Sequence, residues 1–363
     1  MPKFENGFLV TKELFNSHIH LGGSLFEDVS SKNINLSDFI AFSDYWNEQL
    51  KKSNQDKLAW NIAAKYSALI SKFYGATSVC TMLGTEILKE AGLENSLIGY
   101  PVMNSKKLSG FLSNLEQSYK IFRKDVLNCG MKPGIFLHSL YANNEQTLEI
   151  VSNLLKTYPE DFLQIHIAED TQTTDRVFEK YKLREINILE KYKLLTPQTM
   201  LVHCCLLSDS ELKTVAKHDS KIIICPESNL RVGQTPMNPK RLKHAGVKWF
   251  VATDGLGTGG TLNLLKQAKI LKDVYPETSY AELFDAISTR PDQKDCKQVK
   301  INIEKNLENV DPLEFMIENS DTNIYNDNIQ KIENELNVVR LELKKYKPTL
   351  KIFNDWKKGE QND

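Results

Sequence analysis

The chain has 363 residues, with 46 Lys and Arg against 47 Asp and Glu and a formal net charge of -1, enough length for one large domain plus an extension. The balanced charge offers no basic surplus for nucleic acid and no Lys/Arg cluster for a lipid surface. No apolar run reaches the roughly eighteen residues that a membrane-spanning helix needs, and the N-terminus MPKFENGFLV lacks the cationic start and apolar core of a secretory signal. The six cysteines (Cys80, Cys129, Cys204, Cys205, Cys225 and Cys296) are scattered and none forms C-x-x-C. They read as reduced thiols of a cytoplasmic protein and not as zinc ligands.

Short apolar segments rich in β-branched residues recur along the chain, separated by longer amphipathic stretches. The first, 13–21 (ELFNSHIHL), precedes an insertion over roughly 34–73 that is longer than one crossover needs and is placed to form a lid. Phe26, Phe39, Phe42 and Trp46 in this region read either as the buried face of a lid helix or as walls for a flat ring. Then come 76–82 (ATSVCTM), 96–103 (SLIGYPVM), 132–139 (KPGIFLHS) and 162–169 (FLQIHIAE). They are followed by 199–206 (TMLVHCCL), 221–228 (KIIICPES) and 247–254 (VKWFVATD). Helical patterns such as 56–75 and 145–160 alternate with these segments. Eight such units predict an α/β fold, a (β/α)8 TIM barrel over residues 1–290. The polar break TRPDQKDCKQ (289–298) opens a helical C-terminal extension, 291–363. In it Ile329, Ile332, Leu336, Val339 and Leu343 make one apolar stripe. That stripe predicts a helix docked on its own barrel; a coiled-coil contact in a homodimer is the alternative.

Five of the seven histidines, His18, His20, His138, His166 and His203, lie at the C-terminal ends of predicted strands. Barrels of this kind build their sites at that face. Asp254 ends the eighth strand, while His218 and His244 read as surface residues. His18 and His20, two apart in a strand, point the same way. Taken singly, each residue has a plainer reading, as a backbone-satisfied histidine or a turn aspartate before Gly255. Together on one rim they predict a metal site with His18, His20, His166 and Asp254 as ligands. Three neutral nitrogens and a carboxylate suit zinc, with iron or another divalent ion open. The fourth strand ends FLHS, without the lysine that often bridges two metals, so one ion per chain is expected. Glu169, three residues past His166, reaches the pocket only if the chain turns at the small Ala168. There it can take a proton from metal-bound water, whose pKa zinc lowers to about 7, and pass it to a leaving group. His203 would orient the hydroxide or stabilise the charge that develops.

The segments HIHLGGS (18–24), QIHIAED (164–170), VHCCLLSDSEL (202–212), CPESNL (225–230) and VATDGL (251–256) resemble, in order and spacing, motifs of the amidohydrolase superfamily. More narrowly they are similar to its mononuclear-zinc deaminases, over about residues 13 to 290. GIFLHSLY (134–141), CPxSNL and TDG look more like the branch of guanine, S-adenosylhomocysteine and aminofutalosine deaminases than like adenosine deaminases. The latter carry two consecutive aspartates where Asp254 is followed by Gly255. The resemblance implies that zinc is held by His18, His20, His166 and Asp254, that Glu169 shuttles protons, that His203 assists the attacking water and that His138 contacts substrate. It implies a hydrolase of carbon–nitrogen bonds other than peptide bonds, releasing ammonia from a small purine-like base, nucleoside or related amino-heterocycle. Two other readings remain beside it: a hydrolase of amide or carbon–halogen bonds on the same scaffold, and an inactive ligand-binding relative. The H-x-E and P-C-x-x-C signature of cytidine-type deaminases is absent. The chain departs from the branch in three ways. Only seventeen residues precede His18, so the usual small β-sandwich is expected to be absent or vestigial. TDGLGTGGTLN (253–263) lacks the usual Ser-Asn pair, and Asp170 stands where Thr or Ser usually follows the glutamate.

Overall fold

Two short strands, β1 (Lys3–Glu5) and β2 (Phe8–Lys12), come first. All eight apolar segments then form strands: β3 (Leu14–Asn16), β4 (Ala76–Met82), β5 (Leu97–Val102) and β6 (Lys132–Ser139), followed by β7 (Phe162–Ile167), β8 (Thr199–His203), β9 (Lys221–Ile224) and β10 (Trp249–Val251). A last strand, β11 (Gln298–Asn302), follows the barrel. The structure is a computed structural model and describes residues 2–5, 8–29, 35–103, 114–292, 298–302, 310–320 and 329–360; Cys296 lies outside them.

Strands β3 to β10 form one parallel eight-stranded sheet in sequential order. Helices cover a parallel sheet on its outer face, so its strands are apolar on both faces; β7 and β9 are buried at every residue. Inside the barrel Phe15, Cys80, Leu97, Phe162, Met200, Val202, Ile223 and Phe250 pack together. Gly134 belongs to this layer, because a Cβ there would lie 2.3 Å from the Phe162 ring. The seam between β10 and β3 is closed largely by side chains. Asn16 Nδ2 donates to Thr253 Oγ1 at 2.7 Å, Thr253 N donates to Asn16 Oδ1 at 3.2 Å, and Asp254 N donates to the His18 carbonyl at 3.2 Å. Between β6 and β7 the register shifts: Phe136 faces Gln164, but Ser139 faces His166. The extra residue in β6 is a bulge at the C-terminal rim.

The insertion after β3 forms a 3-10 segment (Leu21–Val29) and two helices, Leu36–Lys52 and Asp56–Phe73. The helix Ile329–Leu343 docks on the second of these, burying Ile332, Val339 and Leu343. The apolar stripe is thus covered within the chain. Around it, Trp46 Nε1 donates to the Tyr346 carbonyl at 2.9 Å and Lys347 pairs with Glu27 at 2.6 Å. Phe42 sits edge-on to Phe353 at 4.8 Å. Phe26 and Phe42 are buried, so the buried-face reading describes them.

The extension past residue 290 carries the expected helices, Pro312–Glu318, Ile329–Leu343 and Leu350–Glu360. It also carries a strand, β11, which pairs antiparallel with β2, which in turn pairs with β1. Among the described residues these three strands form a small sheet of their own, separate from the barrel. QVKIN is only five residues long and its partner lies nearly the whole chain away, so no local pattern announced it. Among the described residues no helix is long and apolar enough to cross a membrane.

Arg290 closes the end of the barrel opposite the histidines. Its guanidinium lies 4.6 Å over the Phe15 ring, donates to Ser78 Oγ and the Asn95 carbonyl, and makes a bidentate pair with Asp292. Both partners are only 5% and 6% exposed. Breaking a buried pair costs about 3–5 kcal/mol. Arg290→Ala should therefore lower the midpoint of chemical denaturation markedly, and an unchanged midpoint would contradict this role.

Candidate metal centre and acid–base pair

His18, His20 and His166 bring one nitrogen each within 4.8 Å of one another. His166 Nε2 is 3.1 Å from His20 Nε2 and 3.3 Å from His18 Nε2. Asp254 Oδ1 lies 3.5 Å from His18 Nε2 and 3.4 Å from His20 Nε2. The other ring nitrogens of two histidines set their tautomers. Gln164 Nε2 donates to the Ser17 carbonyl at 2.9 Å, which turns Gln164 Oε1 toward His18 Nδ1, also at 2.9 Å. His166 Nδ1 donates to the His138 carbonyl at 2.7 Å, the carbonyl that the β6 bulge offers. A neutral imidazole has one N–H. In the neutral form of both rings the facing Nε2 atoms are therefore acceptors, and their lone pairs oppose each other across 3.3 Å.

That opposition, together with Asp254, tests whether a cation fits. Asp254 Oδ2 accepts from Ser228 Oγ at 2.7 Å and from Thr258 Oγ1 at 2.6 Å. Its Oδ1 is buried with no hydrogen-bond partner among the described residues. An unsatisfied buried acceptor is costly, and a carboxylate oxygen beside inward-facing imidazole lone pairs is what a divalent transition ion binds. Burial would raise the Asp254 carboxyl, but the positive charge that His18, His20 and His203 carry once protonated in acid holds it well below the usual range. Burial, with the neighbouring imidazoles, pushes His20 down to about 3 and His166 well below its ordinary value. The carboxylate is ionised and these imidazoles are neutral, the forms that ligate metal.

Glu169 and His203 stand together beside this cluster, His203 Nε2 3.4 Å from Glu169 Oε1. Asn229 Nδ2 donates to His203 Nδ1 at 3.0 Å, so the His203 proton sits on Nε2, facing Glu169. Burial, then the nearby carboxylates, raises Glu169 well above the ordinary value, and burial lowers His203 to about 4. The turn expected at Ala168 is present, with φ +48°. His203 (φ +72°), Cys204 (φ +58°) and Asp254 (φ +58°) are also left-handed, a backbone region that non-glycine residues occupy at a cost of about 1–3 kcal/mol each. Asp170 does not enter the cluster. It caps the helix Thr171–Tyr181, accepting from Thr173 N at 2.7 Å. His138 completes the rim, its ring 5.0 Å from that of His166 and its Nδ1 3.2 Å from Ser139 Oγ. His218 pairs with Glu190 and His244 is exposed, both away from the cluster.

Gln164, Ser228, Asn229 and Thr258 had no assigned role in the sequence. Gln164 carried a signal, as a polar residue two before His166 on the same strand face. Thr258 lies in the divergent loop after Asp254 and anchors that aspartate. Gly259 lets the loop fold back, since a Cβ there would sit 1.9 Å from the Thr253 carbonyl oxygen. The first turn of the Leu36–Lys52 helix reaches the same rim, where Ser37 Oγ donates to Gln172 Oε1 at 2.8 Å.

The sequence pattern of the amidohydrolase family matches residues 13–291. 5-Methylthioadenosine/S-adenosylhomocysteine deaminase 2 of Archaeoglobus fulgidus is 24% identical over 274 residues, covering 73% of this chain and 63% of that protein. The chain thus spans less than two thirds of that relative's length. A zinc-bound adenosine deaminase from Xanthomonas campestris has a similar fold, with a TM-score of 0.73 and 15% identity over 93% of this chain and 87% of that one. Atrazine chlorohydrolase of Arthrobacter aurescens TC1, complexed with zinc, gives a TM-score of 0.74 and 14% identity over 92% and 88%.

Partners that fix the tautomer of a metal-binding histidine typically contribute 10–100-fold in affinity. Gln164→Leu should weaken divalent-cation binding by about that factor in competition with a chelating dye. Unchanged affinity would show that Gln164 does not set His18.

Proposed function

The chain belongs to the amidohydrolase family, and from that premise we propose that it is a mononuclear, zinc-dependent aminohydrolase releasing ammonia from a purine-like amino-heterocycle. The observation that carries the reading is the pair of opposed acceptor nitrogens on His18 and His166 beside the orphaned Asp254 oxygen, with a protonatable carboxyl next door. In this reading His18, His20, His166 and Asp254 hold one ion. When bound, zinc supplies a Lewis acid that makes water nucleophilic near neutral pH.

The chain's own groups supply the rest. Glu169 takes a proton from the attacking water and delivers it to the departing amino nitrogen, which needs a carboxyl that exchanges protons near neutrality. Its burial supports that role by raising it well above an ordinary carboxyl. His203 presents Nε2–H to the same space as a neutral donor and stabilises charge developing on the oxygen. His138, on the rim beside His166, contacts the substrate. The purine-like class is supported by the adenosine-derived substrates in the name of the Archaeoglobus relative. Every group that ammonia release requires is present, which weighs against an inactive relative.

An ammonia-release screen of the zinc-loaded protein over purines, nucleosides and pterins tests this reading. Turnover should appear with at least one of them, and Glu169→Gln should reduce it by about 10²- to 10⁴-fold with zinc still bound. Undiminished turnover in that variant would remove Glu169 from the mechanism. Hydrolysis without ammonia would move the chain to another hydrolase chemistry.

A further inference from the structure

Behind the acid–base pair lies a carboxyl that the proposed mechanism does not use. Glu185 begins the helix Glu185–Lys191 and is 6% exposed. Its Oε2 accepts from the Ala168 backbone N–H at 2.6 Å. Ala168 is the left-handed residue, φ +48°, that turns the chain between His166 and Glu169. On its other side the Ala168 carbonyl accepts from Leu206 N at 3.2 Å, and the Ile167 carbonyl accepts from Cys204 N at 2.9 Å. Those two bonds tie the turn to the β8 exit; Glu185 alone among the side chains bonds its N–H within the described residues.

We infer that Glu185 is a positioning residue, which holds Glu169 against His203 by bonding the strained Ala168 turn from behind. The inference rests on Glu169 being the proton carrier of the proposed reaction. A regular strand would carry the third residue past His166 to the opposite face. Glu169 reaches His203 only while Ala168 stays left-handed, a conformation an L-residue leaves unless its surroundings hold it. Losing the acceptor would leave a buried N–H unsatisfied and free the turn to relax toward the extended form. The bond does not need a negative charge. Burial raises the Glu185 carboxyl to about 8, against the opposing effect of the Ala168 bond, with Glu211, Arg184 and Asp170 the charged groups around it. A neutral carboxyl still accepts through its carbonyl oxygen, so a glutamine amide can replace it.

Two variants, Glu185→Ala and Glu185→Gln, test this in the full-length, zinc-loaded protein. One readout is independent of activity: hydrogen exchange at the Ala168 amide, with the Ile165 amide in β7 as reference. The account expects Glu185→Ala to speed exchange at Ala168 by about 10-fold or more with Ile165 unchanged, and Glu185→Gln to restore it. The kinetic readout is a fall in kcat for ammonia release of about 10- to 100-fold in Glu185→Ala, with KM nearly constant and most of kcat recovered in Glu185→Gln. Unchanged Ala168 exchange, or equal acceleration at Ala168 and Ile165, would overturn the inference, the second by showing a merely structural role. A wild-type protein that releases no ammonia would overturn the proposed reaction instead, and the exchange data would still decide whether Glu185 holds the turn.

Discussion

Two nitrogen lone pairs aimed at each other across 3.3 Å are the constraint around which the rest of this site is arranged. Neither His18 nor His166 can relieve the opposition by switching tautomer, because Gln164 and the His138 carbonyl each hold an Nδ1 proton in place. Asp254 brings a third acceptor to the same place and leaves one oxygen buried without a hydrogen bond. Folding that concentrates acceptors in this way is unfavourable unless something positive sits among them. The barrel tolerates it because its strands are fastened elsewhere, by a packed interior and by Arg290 at the far end.

Several irregularities of the fold serve this one region. The β6 bulge presents the carbonyl that His166 needs. Left-handed turns at Ala168 and His203 bring Glu169 and the His203 ring into the site, at points where a regular strand would alternate them outward, and Asp254 is left-handed as well. Strain of this kind persists only where neighbours over-determine the conformation, and each turn has its own fastening. Glu185 bonds Ala168, Asn229 bonds the His203 ring, and Ser228 with Thr258 bonds Asp254. The C-terminal helices act at longer range, by clamping the helical insertion whose first turn touches Gln172 at the rim.

Much of this was legible in the sequence because its period is local. Eight β-branched runs separated by helical stretches specify a parallel barrel, and histidines at the ends of those runs share one rim as a consequence of topology. The need for a turn at Ala168 followed from counting residues past His166. What escaped was non-local or irregular. The β1–β2–β11 sheet joins segments from opposite ends of the chain, and β11 is too short to carry a pattern. The β6 bulge changes register without a glycine or proline to mark it. Gln164, Asn229 and Thr258 bond side chains far away in sequence or across a loop of unfamiliar composition, so spacing alone could not assign them.

The proposed chemistry depends on the cluster being a cation site and not a set of histidines satisfied by protons. Anomalous diffraction at the zinc edge, on crystals of protein purified without chelator, measures this directly. The account predicts a single strong peak among the Nε2 atoms of His18, His20 and His166 and the carboxylate of Asp254. A featureless map there, with crystals grown in added zinc still showing His18 and His166 in direct contact, would contradict it.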